Sequence, residues 1–339
     1  MRKRNGMRCK KNGWKRRRAL LLLTILVLAG CAEQECSPAE TEAEIAQTET
    51  QAAAMQETNQ EKELKPQEAT RTVEVSYSNI ADEESRKFVE EALISAGVSA
   101  ERQRTFFEHV EQFNACAGEG DLTGGFETAA ATEIKYDPYE LQERWQGRHE
   151  DFEGYNCRIT AYGLYGDALT LDSAKQMKRD SLMTENLDFD LYALGQDASA
   201  VPTETERDKF LSLYAAVPTD ATKDVKVHAA HMQEAWRARG LGFSASEKLR
   251  LISVVFHDKL TEGQDKLFIG HIGILLPLED GRLCFLEKVA FQEPYRANLF
   301  QNRAKLCDYL MEKYDLEYDQ PAAAPFIMEN AELLSREDV

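Results

Sequence analysis

Phe268-Ile269-Gly270-His271-Ile272-Gly273-Ile274-Leu275-Leu276 is an apolar run broken by one imidazole, and it reads as a strand over 267–276. Pro277-Leu278-Glu279-Asp280-Gly281 follows as a hairpin-like turn, and Leu283 to Phe291 reads as the returning strand. Upstream, Leu251-Ile252-Ser253-Val254-Val255-Phe256 supplies a third strand. Strands this close in sequence pair antiparallel. Period-two alternation puts His271, Gly273 and Leu275 on one face, and Ile272, Ile274 and Leu276 on the other.

Outward from this sheet the pattern is helical. Helices are expected over 82–96, ending at Gly97, and over 101–113, with Phe106, Phe107, Val110 and Phe113 on one stripe. Further helices are expected over 139–145, 157–169, 173–183, 204–214, 224–239 and 298–314. Val73 to Tyr77 alternates like a short strand, and the glycine-rich stretch 115–132 reads as loop. Helices followed by an antiparallel sheet predict one α+β domain over 72–339, long enough for a sizeable core.

The first 30 residues read as an address. Ten basic residues and no acid lie between Arg2 and Arg18, followed by an apolar run from Ala19 to Ala29. This is the charged and apolar sequence of a secretory signal, and it is shorter than a bilayer span. Leu28-Ala29-Gly30-Cys31 resembles the bacterial lipobox, which implies cleavage before Cys31 and acylation of its thiol. The expected location is therefore extracytoplasmic, on a bilayer that the chain meets through lipidated Cys31. Residues 32–70 hold ten Glu, two Lys and no aromatic, so 31–71 reads as a disordered acidic linker.

Removing the signal takes ten basic residues from 41 and leaves 31 against 59 acidic ones, a net charge of −28. Such a chain is repelled by nucleic acid, and no basic stripe, phosphate-binding glycine loop or Gly-x-Ser-x-Gly elbow appears. Of seven cysteines, Cys9 leaves with the signal and Cys31 takes the lipid. Cys36, Cys116, Cys157, Cys284 and Cys307 remain, so at least one thiol is free within the molecule. Without a CxxC spacing, no structural metal is expected, and nothing calls for a cofactor.

Two segments carry chemistry. Gly154-Tyr155-Asn156-Cys157-Arg158-Ile159 places a thiol at a helix start, where unpaired N–H groups and a neighbouring arginine favour the thiolate. His271, alone in its apolar strand, is the candidate base. Glu287, in Phe285-Leu286-Glu287-Lys288, is the candidate that orients it. That assignment depends on the turn: a two-residue turn at Asp280-Gly281 sends Glu287 to the opposite face, whereas a three-residue loop or a bulge brings it round. His257 is the alternative base. His228 and His231 form His-x-x-His, read here as a solvated helix face. Trp145, Phe152, Tyr155, Tyr162 and Tyr165 line either a cleft or, as is commoner, the core.

Gly-Tyr-Asn-Cys before a helix, then Gly-His-Ile-Gly-Ile-Leu-Leu on a strand, resembles the NlpC-type branch of papain-like cysteine hydrolases. The resemblance implies a papain-like core and cleavage of an amide, with cell-wall peptides the usual substrate class. Asn156 stands where that branch has Asp, and Arg158-Ile159 where it has Ser-Gly. Over nearly all of 72–330 the chain also resembles an uncharacterised family of bacterial lipoproteins, domain-of-unknown-function family 4300. That likeness is carried by Tyr-Asn-Cys-Arg-Ile, Val-Val-Phe-His-Asp-Lys, Phe-Ile-Gly-His-Ile-Gly-Ile-Leu and Phe-Leu-Glu-Lys-Val-Ala-Phe-Gln-Glu-Pro-Tyr. The expected function is a lipid-anchored cysteine hydrolase acting on an amide such as a cell-wall peptide. The alternative is a non-catalytic surface binding or structural lipoprotein with a degenerate cleft.

Overall fold

Asp82 opens the first helix, α1 (Glu83–Ala96), by accepting the N–H of Ser85, and Gly97 closes it in the left-handed conformation. A computed structural model describes residues 72–335, apart from 119, 134, 260, 262 and 317–320. The expected signal, Cys31 and the linker fall outside these residues. After β1 (Glu74–Ser78) and α1 come α2 (Ala100–Asn114), β2 (Glu127–Ala130), α3 (Pro138–His149) and α4 (Cys157–Tyr165). Then follow β3 (Leu169–Leu171), α5 (Asp188–Gln196), α6 (Glu204–Tyr214), β4 (Val217–Pro218), α7 (Val225–Ala238) and β5 (Leu241–Phe243). The chain continues through β6 (Arg250–Asp258), β7 (Lys266–Pro277), β8 (Leu283–Lys288) and β9 (Tyr295–Phe300). Finally come α8 (Arg303–Tyr314), β10 (Phe326–Glu329) and β11 (Glu332–Leu334).

The fold is mixed α+β. Its main sheet runs β11-β10-β6-β7-β8-β9-β1-β2, with β4 added to the start of β7, and its pairings are antiparallel. The central strands β7 and β8 are buried along nearly their whole length, as an apolar run covered on both faces requires. One face carries Ile272, Ile274 and Leu286 and packs against α1 and α4. The other carries Val254, Leu275 and Phe285 and is covered by Leu306, Tyr309 and Leu310 of α8.

Several expected elements differ. The stretch 173–183 is not a helix. Its Gln176 and Arg179 are drawn to the Asp208 carboxylate on α6, leaving only a short 3-10 turn at Arg179–Ser181. The last long helix begins at Arg303, capped by Asn302, because residues 298–300 belong to β9 between β8 and β1. The helix from Cys157 ends at Tyr165, and Leu169–Leu171 pairs with β5 instead. The glycine-rich stretch contains β2, and β8 ends at Lys288 rather than running on to Phe291.

Candidate functional site

The turn between β7 and β8 settles where Glu287 points. Pro277 pairs with Leu283, and the Leu278 N–H reaches the Arg282 carbonyl, so three residues, Glu279-Asp280-Gly281, make the loop. Gly281 takes φ +85°, the left-handed position that such a loop needs. The odd-numbered loop sets Glu287 opposite Gly273, which shares a face with His271. Upstream, Val254 faces His271 and Val255 faces Ile269, so Gly270 is the extra residue of a bulge immediately before the imidazole. Gly273 is a close approach: a Cβ there would meet the Phe285 ring and the Leu286 carbonyl at 2.5 Å.

On this face His271 Nε2 lies 2.6 Å from Glu287 Oε2. The other carboxylate oxygen accepts from Asn298 Nδ2 at 2.9 Å and from the Tyr309 hydroxyl. Lys313 Nζ is 4.0 Å from that oxygen. Tyr314 stacks on the His271 ring at 4.7 Å and 21°. Glu287 and His271 are 2% and 1% exposed, so the pair is shielded from water. Tyr309, Lys313, Tyr314 and Asn298 have no motif that would have singled them out.

Cys157 arrives from the edge of the sheet. β8 pairs with β7 only as far as Glu287 opposite Gly273. Beyond that point the start of α4 takes over the β7 edge, where Arg158 Nη1 donates to the Ile269 carbonyl at 3.0 Å. Asn156 is the N-cap: its Oδ1 accepts from the Ile159 N–H at 3.0 Å. The helix itself supplies no acceptor for the N–H groups of Cys157 and Arg158, which lie in its first turn. Cys157 and His271 are near enough that each shifts the other's titration. With Nε2 committed to Glu287, Nδ1 is the ring nitrogen left for sulfur.

The charges on the three groups follow. Burial pushes the Cys157 thiol up, but the His271 hydrogen bond and charge, with Arg158, outweigh it and hold the thiol below its ordinary value. Burial pulls His271 down, yet Cys157 and Glu287 raise it to about 9. Glu287 is penalised by burial but stays well below the ordinary carboxylate range because of Lys313, His271 and Arg296. The arrangement favours a thiolate and an imidazolium backed by a carboxylate.

The residues flanking Cys157 share one anchor. Asp190, on α5 and fully buried, accepts from Asn156 Nδ2 at 2.9 Å and from Arg158 Nε at 2.9 Å. The Asn-Cys-Arg spelling therefore has a structural role: one residue caps the helix and the other ties it to α5 and β7.

The other expected residues are elsewhere. His257, expected beside His271, lies opposite Leu267. Its Nε2 meets Asp265 at 2.8 Å and its Nδ1 accepts the Ala323 N–H at 3.0 Å, so both nitrogens are committed away from sulfur. The alternative base is thereby removed. His228 is buried, not solvated, and both His228 and His231 bond Thr219 Oγ1 through Nδ1, at 2.7 and 2.8 Å. Among the described residues no group of three or more His, Cys, Asp or Glu is placed to hold a metal ion. Trp145, Tyr155, Tyr162 and Tyr165 are core residues. Cys116, Cys157 and Cys284 are buried free thiols, and among the described residues no helix is long and apolar enough to cross a membrane.

Residues 76–334 match the family described as "Domain of unknown function (DUF4300)", and the chain belongs to that family. No curated protein and no solved structure matches it.

Proposed function

We propose that this protein is a papain-like cysteine hydrolase, anchored outside the cytoplasm by lipid on Cys31 and acting on an amide bond such as that of a cell-wall peptide. The observation that carries the reading is the buried line from Cys157 through His271 to Glu287, in which each group stabilises the charge of the next. Order along the chain supports it: thiol at a helix start, imidazole on a central strand, carboxylate on the next. The lipobox residues and the acidic mature chain support the location.

In this reading the Cys157 thiolate attacks the amide carbon. The tetrahedral oxyanion is met by the N–H groups at the start of α4. The C–N bond breaks as His271 passes its proton to the leaving amine, and a thioester remains on Cys157. His271, now neutral, takes a proton from water, whose oxygen attacks the thioester. The acid product leaves and the thiolate–imidazolium pair returns. Glu287 keeps the imidazole oriented and its positive charge stabilised throughout.

A second reading is a binding or structural lipoprotein, favoured by the cover over the site: Cys157 is only 7% exposed. Incubation with muropeptides and model amides separates the two. The hydrolase reading expects amine release by the wild type and none by Cys157→Ala. Release that survives the substitution sinks the thiol mechanism, and silence of both chains across the substrate panel favours the binding reading.

A further inference from the structure

Both flanks of Cys157 meet one buried carboxylate on α5. Asp190 is fully buried and takes hydrogen bonds from both neighbours of the thiol, Asn156 and Arg158. Arg158 also donates to the Asn186 carbonyl at 3.0 Å and the Ile269 carbonyl at 3.0 Å. Ile269 is the last residue before the bulge at Gly270, and His271 follows it. A continuous chain of hydrogen bonds therefore joins the segment carrying the thiol to the strand segment carrying the imidazole, without touching sulfur or ring. The Tyr214 hydroxyl adds a fourth tie by donating to the Arg158 carbonyl at 3.0 Å.

We propose that Asp190 and Arg158 form a positioning clamp that fixes the start of α4 against the bulged edge of β7 and so sets the approach of Cys157 to His271. The clamp does no chemistry. Its planar guanidinium is suited to the task because it serves a carboxylate and two carbonyls in one plane, which an ammonium cannot do. This inference rests on the reactive-thiolate reading above and names what assembles that site.

The sign of one measurement separates positioning from mere charge. The charged and titratable groups around Cys157 are His271, Arg158, Asp190, Tyr214, Lys288 and Tyr314. Acting only through space, Asp190 opposes the thiolate. Neutralising it would therefore speed alkylation of Cys157. Acting as a clamp, its loss frees Arg158, loosens the Cys157–His271 contact and slows alkylation. The experiment follows iodoacetamide capture of Cys157 across pH, read at the level of its own peptide by mass spectrometry, in the full chain. The variants are Asp190→Asn and Arg158→Lys, the second of which keeps the charge.

Both variants are expected to react about tenfold more slowly than wild type at pH 6, the effect of one unit in the thiol's titration. Their thermal transitions should remain cooperative. Unchanged or faster capture in the variants overturns the clamp while leaving the hydrolase reading intact. Loss of the folded state in both variants makes the contact a folding determinant and also overturns it. If wild-type Cys157 itself titrates like an ordinary thiol near 8.5, the hydrolase reading fails first.

Discussion

Replacing Glu287 by Gln removes the anion behind His271 and keeps its shape. Without that charge the imidazolium loses one of the two partners that raise it to about 9. The reactive ion pair exists between the lowered titration of Cys157 and that of His271, so activity falls on the alkaline side as His271 gives up its proton. In Glu287→Gln that alkaline limb moves to lower pH, and kcat drops by about 10²-fold or more. A pH–rate profile of both proteins checks this; an unmoved limb separates Glu287 from the chemistry. Stability shifts in the opposite pH direction. A carboxylate held below its ordinary 4.5 adds stability above that value, and the contribution is lost as pH falls towards the folded value. Urea titrations should therefore show wild type losing more stability than Glu287→Gln on acidification below 4.5. His271 and Cys157 were legible because each breaks its local pattern: an imidazole in an apolar strand, a thiol at a helix start. Asp190 and Tyr314 were not, because their roles exist only once α5 and α8 have packed.

The hairpin of β7 and β8 is where element geometry governs the site. Its three-residue turn carries the parity that joins Glu287 to His271. Inserting one residue between Cys284 and Phe285 keeps the three-residue loop but shifts the rest of β8 by one, turning the Glu287 side chain towards the opposite face. The expected result is loss of activity with a substantial cost in stability, because Leu286 would replace a carboxylate that four polar neighbours hold. Gly273→Ala tests the same hairpin more gently. Its new Cβ would lie 2.5 Å from Phe285 and from the Leu286 carbonyl, so an overpacking cost of about 1–3 kcal/mol is expected, read by chemical denaturation. The sequence left the turn open between two lengths, since Asp280-Gly281 suits either. It also failed at 173–183, where side-chain ties to Asp208 override a helical pattern. At 298–300 it failed because a sheet position between two strands outweighs local periodicity.

Across the whole molecule, the two apolar clusters on either face of the main sheet belong to one unit spanning residues 70–339. A protein starting at Thr72 is accordingly expected to unfold in one cooperative transition, with coincident fluorescence and circular-dichroism curves. Cys31→Ser is expected to abolish fatty-acid labelling in vivo and to release the chain from the membrane fraction. The α+β order was readable because helical periods precede alternating ones along the chain. The short strands β10 and β11, which extend the sheet beyond β6, carry too few residues to announce themselves. The most direct test of the hydrolase account is a quenched-flow search for the thioester. Wild type mixed with a cell-wall peptide amide and acid-quenched should carry the acyl mass on the Cys157 peptide, and Cys157→Ala should carry none. Amide hydrolysis without an adduct on Cys157, at equal rates in both proteins, would contradict it.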